Sequence, residues 1–141
     1  MTLKVRERTK YIVIHCSDEP AGRKTDANTI RKWHRQRGWL DIGYHYVVKT
    51  DGDVEVGREP DVMGAHVRGH NQHSIGICLI GGAKDDLSGP EDNFTDAQWN
   101  SLATLVGQVL SMYPEAEVIG HRDLDPRKAC PSFDASGWWL G

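Results

Sequence analysis

Cysteine is scarce in this chain of 141 residues, which holds only Cys16, Cys78 and Cys130. So few cysteines, and an odd number of them, exclude the disulfide framework of small secreted proteins and favour a protein made in a reducing cytoplasm. Long apolar runs are also missing, since no stretch approaches the roughly 20 residues of a transmembrane helix. Neither charge sign dominates, because the net charge is only −3. Bulk attraction to nucleic acid or to an anionic membrane is therefore not expected.

The length of the chain predicts one domain over residues 1–141, and we expect a monomer. The first ten residues, MTLKVRERTK, are basic, but no apolar stretch of signal-peptide length follows them. We therefore expect the protein in the cytoplasm of the producing or infected cell. A substrate beyond the membrane would be reached only after a separate factor releases the protein.

Strand and helix signals follow one another along the sequence. The run YIVIHCS predicts a buried strand that ends at His15, and Asp51-Gly52 predicts the turn of a hairpin over residues 44–58. Further strands are predicted within 73–82 and over 116–121, the second ending at His121. This order favours an α/β or α+β fold with a single central sheet flanked by helices.

Two helices are predicted from their caps and apolar spacing. Residues 95–113 give the clearer one, with a capping box formed by Thr95 and Gln98. The other lies between Thr25 or Asp26 and Gly38, with Ile30, Trp33 and Arg37 sharing a face. We expect His34 on the surface of that helix.

His15 and His121 lie at the ends of two predicted strands, and Cys130 follows in the loop HRDLDPRKACPSFD. Two imidazoles and one thiolate make a three-ligand set for zinc, with the fourth tetrahedral position left open as in catalytic sites. The spacing alone does not distinguish this zinc site from two alternatives. Cys130 could equally be a nucleophile with His121 as its base, or a packing residue beside two structural histidines.

A resemblance to a known family bears on this choice. The segments YIVIHCS, GWLDIGYHYVVKTDG, VGREPDVMGAHVRGHNQHSIGICLIGG, NFTDAQWNSL and KACPSFD, in this order, are similar to the zinc-dependent N-acetylmuramoyl-L-alanine amidases. That family also includes peptidoglycan-recognition proteins, and the similarity is strongest to its phage lysozymes. It extends from about Tyr11 to Trp139. The resemblance implies a mixed central sheet flanked by helices.

The resemblance also implies roles for individual residues. The zinc ligands of the family fall on His15, His121 and Cys130, which implies one zinc ion as the cofactor. The catalytic tyrosine falls on Tyr44, and the catalytic lysine of the phage branch falls on Lys128. Without the resemblance, strand packing explains Tyr44 equally well, and a solvated loop charge is the favoured explanation of Lys128.

Substrate contacts are implied less directly. His66 and Asn71 lie in a segment that lines the substrate groove in the family, and Arg58 is a further candidate that also fits a surface charge. His45 should point away from Tyr44 by strand alternation, so we expect a structural role for it.

The sequence therefore predicts a phage-type endolysin that hydrolyses the amide between the lactyl group of N-acetylmuramic acid and L-alanine in peptidoglycan. The alternative is a non-catalytic peptidoglycan-binding module, in which the ligands or the catalytic pair should be broken, whereas all five positions are present here. Some phage relatives also bind and inhibit a phage RNA polymerase, and no residues in this sequence decide whether it does so.

Overall fold

A central sheet organises the computed structural model, which describes residues 3–141. Its strand order is β3-β2-β4-β1-β5. The strands are β1 (Tyr11–Cys16), β2 (Tyr46–Val48), β3 (Val54–Val56), β4 (Ser74–Leu79) and β5 (Glu117–Gly120), and the helices are α1 (Ala27–Gln36), α2 (Asp96–Met112), α3 (His121–Leu124) and α4 (Ala135–Leu140). Over residues 3–141, every helix falls short of the length and apolar character that a membrane span requires.

The sheet is mixed, as expected. β1 pairs in parallel with both β4 and β5, and β2 pairs in parallel with β4 and antiparallel with β3. All six residues of β4 are buried, which explains why its sequence is apolar without alternation. The hairpin between β2 and β3 turns at Asp51-Gly52, where Gly52 has a φ of +90° that a residue with a Cβ rarely adopts.

Helices cover both faces of the sheet. On one face, Leu102 and Val106 of α2 pack against isoleucines of β1 and β4. On the other face, Ala27 and Ile30 of α1 pack against Val47 and Cys78. Burying apolar side chains on both faces stabilises the sheet and leaves the strand ends as its accessible edges.

The two predicted helices differ in how well the sequence anticipates them. α2 begins with the expected capping box. The Thr95 hydroxyl accepts from the Gln98 backbone N–H at 3.1 Å, and the side-chain Oε1 of Gln98 accepts from the Thr95 backbone N–H at 2.9 Å. α1 is capped by Asp26, but its predicted face is partly wrong. Trp33 is 39% exposed, whereas His34 is buried with 6% exposure.

Candidate metal centre

His15 and His121 lie side by side at one edge of the sheet because β1 and β5 are parallel. Ile14 pairs with Gly120 across these strands, so the next residue of each chain segment is a histidine. The centroids of the two imidazole rings are 4.6 Å apart. Parallel strands present their carboxyl ends at the same edge, which is where α/β proteins commonly place their ligands.

Cys130 reaches the same edge from the loop that follows α3. The backbone N–H of Arg122 donates to the Cys130 carbonyl at 2.9 Å, and the backbone N–H of Cys16 donates to its sulfur at 3.2 Å. The sulfur lies 3.9 Å from Nδ1 of His15. The loop is therefore fixed against α3, which begins at His121, and against the end of β1, which carries His15.

The three side chains form a group that is able to hold a metal ion. One donor atom from each of His15, His121 and Cys130 lies within 4.8 Å of the others. Among residues 3–141, no other group of three or more such side chains meets in this way. His15 is buried and the other two are half-buried, so the group opens to solvent on the side of His121 and Cys130. Two nitrogens and one sulfur with an open side fit zinc in a catalytic type of site.

The two histidines of the group are in the protonation state that metal binding requires. Burial, followed by repulsion from His66, His121 and His45, holds the pKa of His15 well below its ordinary value. Burial and then the charge of Lys128 lower the pKa of His121. Both rings are therefore neutral at pH 7, as metal ligation requires.

The thiol of Cys130 behaves differently from the imidazoles. Its hydrogen bond with Cys16, together with burial, raises its pKa above the ordinary value. In the metal-free protein it therefore keeps its proton, and a metal ion must displace that proton on binding.

Tyr44 lies beside the metal ligands. Its ring centroid is 5.1 Å from that of His15. β2 begins at Tyr46, two residues later than the hairpin prediction, although the backbone carbonyl of Tyr44 still accepts from Arg58 N–H at 2.9 Å. Burial, followed by the neighbouring cysteines, raises the pKa of Tyr44 well above its ordinary value. The phenol therefore stays protonated and can donate a hydrogen bond at this edge.

Lys128 lies at the exposed rim of the group, two residues before Cys130. Its backbone N–H donates to the Asp125 carbonyl at 3.0 Å, which fixes the loop that carries it. Its ammonium is close enough to His121 to lower the pKa of that ring. This position favours a role of Lys128 at the metal centre over the alternative of a solvated loop charge.

His66 and Asn71, expected in a substrate groove, lie behind His15. Nδ1 of His66 is 2.8 Å from Nε2 of His15, and His66 is only 9% exposed. The Asn71 side-chain oxygen accepts from the backbone N–H groups of His66 and Val67, each at 2.9 Å. These contacts favour support of His15 over contact with substrate. Ser74, which the sequence did not single out, also contacts His66, at 3.2 Å.

Arg58 is buried with 7% exposure, so the alternative of a surface charge is wrong. It donates to the backbone carbonyls of Ile42 at 2.7 Å and Met63 at 2.8 Å, with a longer contact to Asp41 at 3.4 Å. Because these carbonyls occupy its donors, its position does not favour the predicted contact with substrate. It holds together the loops on either side of Tyr44.

His34 and His45 both serve the fold near the site. His34 is not at the surface, since its Nδ1 accepts from the backbone N–H of Gly43 at 2.8 Å. Nδ1 of His45 accepts from Gly76 N–H at 3.0 Å, and its Nε2 is 2.6 Å from the Val62 carbonyl, to which it donates. His45 is therefore structural, as expected. The predicted surface position of His34 is wrong, because the buried N–H of Gly43 needs its ring nitrogen as an acceptor.

Comparison with known proteins shows the family to which the chain belongs. The family described as N-acetylmuramoyl-L-alanine amidase matches residues 5–133. The endolysin of Klebsiella phage KP32 is 45% identical over 134 residues, which cover 95% of this chain and 87% of that protein. The endolysin of Escherichia phage T7 is 45% identical over 136 residues, with coverage of 96% and 89%.

A solved structure agrees with these sequence matches. The endolysin N-acetylmuramoyl-L-alanine amidase LysCS from Clostridium intestinale superposes with a TM-score of 0.80 at 27% identity, covering 93% of this chain and 80% of that chain. The family match spans most of the sequence, and the phage relatives align along nearly their whole length. The protein therefore belongs to the N-acetylmuramoyl-L-alanine amidase family.

Proposed function

We propose that this amidase cleaves the amide between the lactyl group of N-acetylmuramic acid and L-alanine, using one zinc ion held by His15, His121 and Cys130. The convergence of their three donor atoms within 4.8 Å at the carboxyl edge of the sheet carries the proposal. When bound, zinc with three protein ligands supplies a Lewis acid and a water of lowered pKa at neutral pH. The remaining chemistry belongs to the side chains around it.

Tyr44 acts on the reacting amide as a hydrogen-bond donor. Its ring lies against His15, and its raised pKa keeps the phenolic proton in place. Negative charge grows on the carbonyl oxygen as the amide is attacked, and a donor already in place stabilises that charge. A phenolic hydroxyl that keeps its proton is also able to pass it on during the reaction.

Lys128 contributes a positive charge at the open side of the centre. It is exposed, and it acts electrostatically on His121. A substrate that enters from solvent therefore meets the ammonium on the side where the carbonyl oxygen becomes negative.

The substrate is peptidoglycan, and the protein acts on the cell wall. The phage relatives are endolysins, which supports the same role for this chain. We propose that the whole chain forms one catalytic domain that works as a monomer, after a separate factor gives it access to the wall. The sheet supports a single domain because its strands come from residues 11–120, while Cys130 completes the site from beyond them.

The bond that is cleaved identifies the reaction. Digestion of purified peptidoglycan should release new free α-amines on alanine and leave the glycan strands intact. A glycosidase needs a carboxylate pair flanking the bond between sugars and would instead give new reducing ends. New reducing ends without new amines would exclude the amidase reaction.

Two controls separate the remaining alternatives. The Cys130→Ser variant and the parent treated with a chelator should both release no amines. Loss of activity in Cys130→Ser but full activity with chelator, at confirmed absence of metal, would favour a cysteine nucleophile. Tight binding to peptidoglycan without any cleavage by the zinc-loaded parent would favour the binding module.

A further inference from the structure

The ring of His15 has a second nitrogen, and the protein engages it through a side chain that does not reach the metal centre. We propose that His66 is a positioning residue that fixes the tautomer and orientation of His15, so that Nδ1 is the nitrogen offered to the metal. This inference rests on the proposed zinc site. It assigns to His66 a function other than substrate contact.

The direction of each hydrogen bond follows from a single backbone carbonyl. The Ser74 hydroxyl lies 2.7 Å from the carbonyl oxygen of His70, which can only accept, so Ser74 donates to it. The Ser74 oxygen is then the acceptor for Nε2–H of His66 at 3.2 Å. A neutral imidazole carries one proton, so Nδ1 of His66 is left as an acceptor.

The acceptor on His66 determines which nitrogen of His15 carries the proton. Because Nδ1 of His66 accepts, Nε2 of His15 carries the proton and donates across the 2.8 Å contact. Nδ1 of His15 is consequently unprotonated, and it is the nitrogen that lies 3.9 Å from the sulfur of Cys130. A lone pair therefore points toward the other ligands before any metal arrives. Hydrogen bonds of this kind orient metal-ligating histidines and raise their basicity.

The backbone around His66 leaves a slot for its ring. A Cβ at Gly76 would lie 2.6 Å from Cγ of His66, and a Cβ at Gly64 would lie 2.7 Å from its Cδ2. Neither distance is tolerated by real side chains, so both positions require glycine while the ring is in place. Asn71 holds the His66 backbone from the other side. The two glycines therefore leave room for the ring, and its two nitrogens are held by His15 at 2.8 Å and Ser74 at 3.2 Å.

Substitutions at His66 and Ser74 separate positioning from packing. His66→Phe keeps a ring but removes the acceptor, whereas His66→Asn restores an acceptor close to the position of Nδ1. Zinc affinity, measured by competition with a chromophoric chelator, should fall about 10–100-fold in His66→Phe and recover substantially in His66→Asn. Ser74→Ala should give a smaller loss, and the matched control His73→Phe, a half-buried histidine away from His15, should give none.

The tautomer itself is measurable without metal or substrate. Long-range proton–nitrogen correlation spectra of the metal-free parent should show His15 protonated at Nε2, and His66→Phe should show a mixture of the two tautomers. Protonation of parent His15 at Nδ1, or unchanged zinc affinity in a folded His66→Phe variant, would overturn the proposal. If His66→Phe does not fold, the zinc affinity of Ser74→Ala and the spectrum of the parent test the proposal instead. A parent that binds no zinc would instead refute the metal site, while the spectrum would still report on the role of His66.

Discussion

The backbone N–H of Cys16 donates to the sulfur of Cys130 at 3.2 Å, across 114 positions of sequence. Cys16 directly follows His15, so the strand end that supplies one ligand also holds another. A backbone donor cannot change rotamer, and it stabilises a thiolate more than a thiol. The sulfur of Cys130 is therefore held against the end of the strand that carries His15.

The first prediction concerns the ligand set. Cys130→Ser, His15→Ala and His121→Ala should each lose zinc and amidase activity together, because the remaining two ligands cannot complete the site. Elemental analysis of purified protein beside an amine-release assay measures both effects. His70→Ala, a half-buried histidine outside the group, should keep both. Full zinc occupancy in Cys130→Ser would show that the ligand assignment is wrong.

The same variants should also be less stable than the zinc-loaded parent. A metal that binds the folded state and not the unfolded one raises the free energy of unfolding. The melting temperature of the parent should therefore rise on addition of zinc, and those of the three variants should not. A variant that is stabilised by zinc as much as the parent would still contain the site.

The second prediction concerns Tyr44. Tyr44→Phe keeps the ring that packs on His15 and removes only the hydroxyl, so zinc content and melting temperature should stay near those of the parent. Loss of one donor to a developing negative charge typically costs roughly 10²–10³ in rate, or about 3–4 kcal/mol. The turnover number on a soluble muramoyl-peptide measures the change. Activity within twofold of the parent would leave Tyr44 with a packing role only.

Much of this site was predictable from local sequence. The apolar runs that end at His15 and His121 identify two buried strands, and parallel pairing then brings the two histidines together at one edge. Cys130 was not predictable in this way, because a loop has no periodicity and its position depends on distant contacts such as that with Cys16. The resemblance of KACPSFD to a known motif supplied what the spacing left open.

The residues behind the site were harder to predict for the same reason. His66 and Arg58 lie in irregular segments outside the strands and helices, and their side chains are directed by partners far away in the sequence, His15 and Ile42. Within α1, Trp33 fits an apolar stripe, but the helix turns His34 inward to meet Gly43 instead. Local hydrophobicity cannot reveal that a buried backbone N–H needs an acceptor.

The third prediction concerns Lys128. Lys128→Ala should keep zinc but slow turnover by roughly 10²–10³ if the ammonium stabilises the developing charge. In the metal-free protein, the pKa of His121 should also rise, because Lys128 lowers it in the parent. Proton chemical shifts followed over pH measure that change. Lys32→Ala, which removes an exposed lysine from α1, should alter neither quantity. Unchanged turnover in Lys128→Ala would show that this lysine is only a solvated charge of the loop.

The fourth prediction concerns stability in acid. Burial, followed by the charges of Arg37 and Arg58, lowers the pKa of His34 to about 4, compared with an ordinary value of 6.5. Between these two values the unfolded state binds more protons than the folded state, so stability rises with pH. The contribution of His34 is therefore complete above pH 6.5 and is lost as the pH falls through 4. Over this range, His34 changes the free energy of unfolding by at most about 1.4 kcal/mol per pH unit.

Urea unfolding at several pH values between 4 and 7 tests this dependence of stability on pH. The protein is kept metal-free with a chelator, because release of metal in acid would change stability separately. His34→Gln offers Gly43 an acceptor that does not titrate, so its free energy of unfolding should fall less steeply in acid than that of the parent. Some slope should remain, because the pKa of His45 is also lowered to about 4, chiefly by burial. Equal slopes for His34→Gln and the parent would contradict the prediction. Since the His34 ring packs 5.6 Å from that of Tyr44, its protonation should also disturb the catalytic edge, and activity should decline over the same range of pH.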